Sequence, residues 1–153
     1  MSQGAWVLVV ALVAASAFGL WRAARDGRFR GTHTVKGGTD SAREERGVLH
    51  GEDLEHRLGE RATLLQFSSA FCAPCRVTRR ILHEVADIVP GVEHVEIDAE
   101  HHLELVRRLG ILRTPTTLVL DAGGRELQRA SGAPKKDEVL ATLARLLEPS
   151  PGG

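Results

Sequence analysis

A strand-to-helix corner is predicted at Ser69-Ala70-Phe71-Cys72-Ala73-Pro74-Cys75-Arg76, the stretch that holds both cysteines of the chain. Residues 62–67 before it form a short apolar run with turn-type residues on either side, which predicts a buried strand. After it, apolar residues recur at intervals of four, four and three, the spacing of a helix: Val77, Ile81, Val85 and Ile88. Cys72 therefore lies near the start of a helix.

This corner suits a reactive thiol. The first backbone N–H groups of a helix have no helical acceptor, and the positive end of the helix dipole favours a thiolate, the form that attacks disulfides. Cys75 lies one turn further along, close enough to resolve a mixed disulfide. A structural disulfide or a metal site is the alternative, but so short a loop adds little stability, and no further Cys pair or His cluster completes a zinc set. Redox chemistry is favoured, and no metal is expected.

The composition fits one globular domain with residues to spare. The hydrophobic content is 42%, and the 20 basic and 20 acidic residues give a formal net charge of zero. No overall field therefore attracts polyanions, and no nucleic-acid partner is expected.

Residues 5–21 form an almost unbroken apolar run, and no charged side chain occurs before Arg22. A helix rises about 1.5 Å per residue, so this length just crosses a hydrocarbon core of about 30 Å. Trp6 and Trp21 lie at its two ends, where aromatic anchors are common. We predict one transmembrane helix at residues 5–21 and a membrane association through it.

A cleaved signal peptide is the alternative, because Ala15-Ser16-Ala17 resembles a cleavage site. Signal peptides carry positive charge before the apolar run, whereas here the basic residues follow it: Arg22, Arg25, Arg28, Arg30 and Lys36. Basic flanks stay in the cytoplasm, so the soluble domain is predicted to face the cytoplasm, with an extracytoplasmic location as the alternative.

The remainder divides into three parts. Residues 22–47 are charged, contain glycine and lack apolar periodicity, which predicts a flexible tether. A folded domain is predicted at residues 48–148, and a disordered tail at 149–153. His101 and His102 are expected on a solvent-facing helix surface rather than in a metal site.

Within the folded domain, the pattern alternates between strands and helices. A short helix is predicted at 52–59 with Gly59 as its C-cap, and the helix after Cys75 is expected to end at 89–91. A strand at 92–98 precedes a helix at 99–109 whose inward residues are predicted to be Leu103, Val106 and Leu109. A hairpin of strands 116–120 and 125–130 follows, with a turn at 121–124. A final amphipathic helix is indicated by Val139, Leu140, Leu143, Leu146 and Leu147. The order predicts an α/β fold with a central mixed sheet and helices on both faces.

At this point the sequence resembles the thioredoxin family over residues 48–147. The resemblance is carried by the Cys72–Cys75 motif, by Asp98 at the end of a strand, by Thr114-Pro115-Thr116, and by two glycines, Gly124 and Gly132. It implies the thioredoxin fold, with Cys72 as nucleophile and Cys75 as resolving thiol. It also implies a cis bond before Pro115, and a substrate surface formed by Phe71, Ala73, Pro74, Thr114 and Pro115.

The departures from the family pattern concern the surroundings of the cysteines. Phe71 replaces the usual tryptophan, Ala73 replaces a glycine, and Arg80 replaces the proline that normally kinks the helix. The buried acid of the family is replaced by Gln66, and its lysine partner by His94, so these two residues are the candidate proton relay. A glutamine cannot take a proton from Cys75, so the second exchange step is expected to be slower or to use water or another base.

These observations predict a membrane-anchored thiol–disulfide oxidoreductase that acts mainly as a reductase. Its partners are expected to be protein disulfides and a dithiol electron donor, with no cofactor beyond the Cys72–Cys75 pair, and the protein is expected to be a monomer. One alternative is an exported, tethered thioredoxin that acts on envelope or apocytochrome thiols. The other is a redox-inactive adaptor with the same fold.

Overall fold

The computed structural model describes residues 3–25, 28–31, 48–54 and 56–148. Five helices are found in these residues: α1 (Gln3–Arg25), α2 (Gly51–Leu54), α3 (Ala73–Ile88), α4 (Leu103–Arg108) and α5 (Lys136–Leu147). Five strands accompany them: β1 (Arg30–Gly31), β2 (Ala62–Ser68), β3 (Val92–Asp98), β4 (Thr116–Asp121) and β5 (Glu126–Ser131). The strands predicted after residue 60 and the helices at Ala73–Ile88 and Lys136–Leu147 are confirmed, whereas helix α1 extends to Arg25, four residues into the predicted tether.

One mixed sheet connects all five strands in the order β1-β5-β4-β2-β3. Strands β2 and β3 run parallel, while β4 is antiparallel to β2, β5 to β4, and β1 to β5. The predicted union of a parallel and an antiparallel half is therefore confirmed. Strand β2 lies inside the sheet, and all seven of its residues are buried.

The sheet has a hydrophobic cluster on each face. On one face, Leu65 and Phe67 pack with residues of α4 and the segment around α2. On the other face, Leu64 packs with Leu82 of α3 and Leu143 of α5. Alternate residues of β2 thus supply both clusters, which is why this strand is apolar on both sides. The predicted helix layers on both faces are confirmed.

Helix α3 buries only part of the apolar series that predicted it. Its buried residues are Cys75, Thr78, Leu82 and Val85. By contrast, Val77 and Ile88 are 55% and 57% exposed. The predicted helix is confirmed, and its core face includes Cys75 and Thr78 beside the apolar residues.

Helix α4 is shorter than the predicted 99–109, because Asp98 organises the turn before it. The Asp98 carboxylate accepts the backbone N–H of Glu100 at 2.9 Å, and it also pairs with His101. His102 bonds the Asp98 carbonyl through its Nδ1 at 3.0 Å.

The predicted inward face of α4 is wrong at one position. Leu103 is 52% exposed, while Leu105 and Leu109 are buried. The helix is only six residues long, and Leu105 is its one buried residue.

The prediction of Gly59 as a helix C-cap is also wrong. Helix α2 ends at Leu54, and Gly59 is a buried residue whose N–H donates to Thr63 Oγ1 at 2.9 Å. A Cβ atom at this position would overlap the carbonyl oxygen of Ala62. This glycine is needed for close backbone approach rather than for helix termination.

Helix α1 is the one described helix that is long and apolar enough to cross a membrane. Its window Gly4–Trp21 has a mean hydropathy of 2.0, and none of that window is buried against the rest of the protein. A signal sequence would satisfy the same criteria, so the predicted span stays a prediction.

The predicted tether contains a short ordered strand. Residues Arg30 and Gly31 pair with Arg129 and Gln128 of β5, and Phe29 packs against the cluster on the α3 face. Two residues give no periodic signal, so the sequence could not indicate this pairing. Residues 26–27 and 32–47 lie outside the described residues, as does the predicted tail at 149–153.

Candidate active site

The two cysteines form a disulfide at the start of α3, with their Cα atoms 5.2 Å apart. Cys72 is the N-cap residue, and its Sγ accepts the backbone N–H of Cys75 at 3.1 Å. Cys72 is half-buried, whereas Cys75 is only 2% exposed. The more accessible sulfur is therefore the one at the positive end of the helix, which favours a thiolate at Cys72.

The loop before β4 faces the cysteine pair across the end of the sheet. The bond between Thr114 and Pro115 is cis, as the family resemblance implied. The Pro115 carbonyl accepts the N–H of Gly132 at 2.8 Å, and the hydroxyls of Thr114 and Ser69 lie 3.0 Å apart. The first hydrogen bond holds the proline loop to the end of β5, and the second joins it to the cysteine loop.

Several residues in and near these two loops are apolar and exposed. Phe71 is fully exposed at 100%, and Ala73 and Pro74 are also exposed. Leu112, which the sequence did not single out, is 95% exposed two residues before Thr114. The sequence shows a leucine two residues before Thr114, but it does not show that this leucine is exposed rather than buried.

Gln66 lies fully buried behind Cys75 and forms hydrogen bonds in two directions. Its Nε2 donates to the Cys75 carbonyl at 3.0 Å and to Ser68 Oγ at 2.7 Å. A carbonyl accepts only, so the amide nitrogen must point toward Cys75. The amide oxygen then faces His94 Nε2 at 3.2 Å, which makes this ring nitrogen the donor.

A carboxylate also belongs to this group, and the sequence did not single it out. Glu96 pairs with Gln66 across the parallel strands and accepts from Ser68 Oγ at 2.5 Å. Arg79 of α3 donates to the same carboxylate at 2.9 Å, and the hydrogen bond raises the pKa of Arg79. Glu96 is thus held in an ion pair beside the site, and only the register between two strands reveals it.

His94 is neutral at physiological pH. Burial lowers its pKa to about 4, and the opposing attraction of Glu96 does not compensate. The described hydrogen bonds connect His94 to Gln66 rather than to Cys75. The predicted proton relay therefore ends at an amide that bonds the Cys75 backbone, and the relay function itself stays a prediction.

This arrangement supports disulfide exchange by one half-buried and one buried cysteine. Among the described residues, no group of three or more His, Cys, Asp or Glu is placed to hold a metal ion. Behind the disulfide, the described side chains include the Gln66 amide and the Glu96–Arg79 ion pair.

The low pKa of His94 predicts a pH-dependent stability. The unfolded chain binds the proton near pH 6.5, while the folded chain binds it only near pH 4, so this stability is complete above pH 6.5 and is lost toward pH 4. Between pH 7.5 and 5, the wild type should lose about 1 to 2 kcal/mol more than His94→Gln, allowing for solvent screening. Urea unfolding of the two proteins in detergent measures this difference.

His56→Gln is the matched control, because His56 is an exposed histidine outside the site. Its loss of stability on acidification should follow that of the wild type. Parallel pH profiles for His94→Gln and the wild type would contradict the prediction.

Comparison with known proteins agrees with this site. A family model for thioredoxin matches residues 47–145. Thioredoxin H2 of Arabidopsis thaliana is 29% identical over 98 residues, which cover 64% of this chain and 71% of the relative. Thioredoxin of Alicyclobacillus acidocaldarius is 31% identical over 91 residues, which cover 59% of this chain and 86% of the relative.

The solved structures give the same result for the fold. A mutant thioredoxin from Halobacterium salinarum matches 60% of this chain and 80% of its own, with a TM-score of 0.56 and 18% identity. A thioredoxin from Nicotiana alata matches 58% of this chain and 76% of its own, with a TM-score of 0.52 and 26% identity. Sequence, fold and cysteine pair therefore agree that this chain belongs to the thioredoxin family and is a thiol–disulfide oxidoreductase.

Proposed function

We propose that this protein is a membrane-anchored reductase of protein disulfides, with its soluble domain in the cytoplasm. The observation that carries the proposal is the position of the Cys72 sulfur. It is half-buried at the N-cap of α3 and accepts the Cys75 N–H, while its partner sulfur is buried. The Cys72 sulfur can thus react with a substrate, while the buried Cys75 sulfur is available for the second exchange.

The reaction proceeds by two exchanges. The Cys72 thiolate attacks one substrate sulfur, a Cys72–substrate bond forms, and the electron pair of the broken bond leaves on the other substrate sulfur, which takes a proton. Cys75 then loses its proton and attacks Cys72 Sγ, which releases the second substrate thiol. The product is the Cys72–Cys75 disulfide found in the structure. A dithiol protein returns the pair to thiols, so no metal, flavin or nucleotide is proposed.

The direction of the reaction follows from the dipeptide between the sulfurs. Ala73 and Pro74 supply neither a charge nor an imidazole that would further stabilise the Cys72 thiolate. A strongly stabilised reduced form makes a dithiol pair an oxidant, so its absence favours a reductase.

The surface beside Cys72 suits an extended peptide. Phe71 and Leu112 offer exposed apolar contacts, and Thr114, joined to Ser69 through its hydroxyl, lies on the neighbouring loop. Recognition through the backbone of that loop would tolerate many side-chain sequences. The substrates proposed are therefore disulfides in exposed or locally unfolded segments.

The roles of the two sulfurs predict distinct phenotypes. Cys72→Ser should abolish insulin reduction with dithiothreitol as donor, because the attacking thiolate is lost. Cys75→Ser should instead accumulate mixed disulfides with substrates, visible by non-reducing electrophoresis. Wild-type activity in Cys72→Ser would overturn the enzyme proposal. Inactivity of the wild type, with partner binding intact, would indicate the adaptor alternative.

The buried amide predicts a slow second exchange. Gln66→Asp places an ionisable group behind Cys75, and a positioned general base accelerates proton transfer by about a hundredfold or more in favourable cases. Because the shorter aspartate also loses the bond to the Cys75 carbonyl, we expect release of a mixed disulfide to rise only about tenfold at pH 7. Stopped-flow quenching with a labelled peptide measures this step, and Gln66→Asn controls for side-chain length. An unchanged rate would mean that proton removal does not limit the exchange.

The basic flank after α1 predicts the side of the membrane. A reporter that works only in the cytoplasm should be active when fused to the C-terminus, and a reporter that works only outside should be inactive. The opposite result would favour the exported thioredoxin, and cleavage after Ala17 would identify residues 1–17 as a signal peptide.

A further inference from the structure

Only four residues, 26–29, separate helix α1 from strand β1 in the sequence. Helix α1 ends at Arg25, and β1 begins at Arg30. An extended chain spans at most about 3.5 Å per residue, so Arg30 lies within about 18 Å of the end of α1. A tether free over residues 22–47 would reach roughly 90 Å. Pairing of strand β1 with the sheet therefore greatly shortens the distance that the domain can move away from the end of α1.

Phe29 and the strand pairing hold this segment to the domain. Phe29 is partly buried against the cluster formed with α3 and α5. Arg30 and Gly31 pair with β5 and cover what would otherwise be an open sheet edge. The attachment thus combines apolar contact with backbone hydrogen bonding.

The direction of β1 places its first residue at the end of the sheet that carries the cysteines. Strand β4 is antiparallel to β2, β5 to β4, and β1 to β5, so β1 runs opposite to β2. The start of β1 therefore lies at the end of the sheet where β2 finishes. Cys72 follows the end of β2, and Pro115 precedes the start of β4, so both belong to this same end.

The register shows how far apart the entry and the site are. One row crosses four strands through Arg30, Arg129, Leu118 and Leu65. Three strand spacings of about 4.8 Å separate β1 from β2, which is about 14 Å sideways. Adding the reach of the entry segment, the end of β2 that leads to Cys72 lies within about 35 Å of the end of α1.

We propose that β1 keeps the Cys72 end of the domain beside the membrane, so that the substrates are disulfides in membrane-proximal segments of integral membrane proteins. The inference rests on the proposed anchor and disulfide exchange, and it names their substrate class. Attachment through a short linker raises the effective concentration of the site near the bilayer and excludes targets beyond its span.

The test uses the full-length protein in phospholipid vesicles with two transmembrane peptides. One peptide carries its disulfide about 10 Å from the bilayer, and the other carries it beyond a rigid helical spacer of about 60 Å. The wild type should reduce the near disulfide at least about tenfold faster than the far one. Equal rates, measured against dithiothreitol alone for each peptide, would overturn the proposal.

Two insertions separate the strand from simple chain length. Ten Gly/Ser residues between Arg25 and Asp26 lengthen the anchor side of β1 and should raise the far rate toward the near rate. The same insertion after Gly38 lies beyond β1 and should leave both rates unchanged. If both insertions raise the far rate equally, β1 does not hold the domain, and the inference fails.

A third variant and a solution assay complete the test. Phe29→Asp should release the strand and raise the far rate without altering insulin reduction in detergent, because Phe29 lies outside the disulfide site. If the wild type does not reduce insulin, or if α1 does not insert into the bilayer, the proposed function itself is wrong. Insulin reduction without a distance preference would count against this inference alone.

Discussion

The hydrogen bond from Gln66 to the Cys75 carbonyl joins the central strand to the first turn of the helix that carries both sulfurs. Strand β2 is buried along its whole length and paired on both sides, so its backbone is held firmly within the sheet. The hydrogen bond from Gln66 attaches the start of α3 to this strand. The same residue also bonds Ser68 and His94, so one amide coordinates the sheet, the helix and the polar group behind the disulfide.

The polar group behind the disulfide carries charge only at a distance from Cys75. Glu96 is paired with Arg79 at the partly exposed side, and the inner members, Gln66 and His94, are neutral at pH 7. A buried isolated charge would be costly, whereas an amide and a neutral imidazole satisfy each other. The arrangement avoids an unpaired buried charge, and it places an amide rather than a carboxylate at the Cys75 carbonyl. The slower second exchange proposed above would be the consequence of that choice.

Local patterns predicted the parts of this molecule that depend on local chemistry. The strand-to-helix corner around Cys72 and the hairpin after Pro115 were predicted because turn residues and apolar periodicity determine them. The roles of Glu96 and Arg79 could not be predicted, because they depend on the register of two strands separated by a helix. The apolar spacing of α3 likewise could not show that Cys75 and Thr78 are buried, because their burial depends on contacts with the rest of the domain.

Strand β1 was not predicted, because it forms by pairing with the exposed edge of β5 and not through an apolar pattern in its own sequence. Strand β5 would otherwise expose a row of backbone groups, and a two-residue segment covers part of it while Phe29 packs against the core. Such pairing can be supplied by almost any sequence, so composition alone indicates a free tether. Because three antiparallel steps separate β1 from β2, the covering strand necessarily enters from the cysteine end of the sheet. The protection of an edge and the proposed placement of the redox site near the proposed anchor therefore follow from one topology.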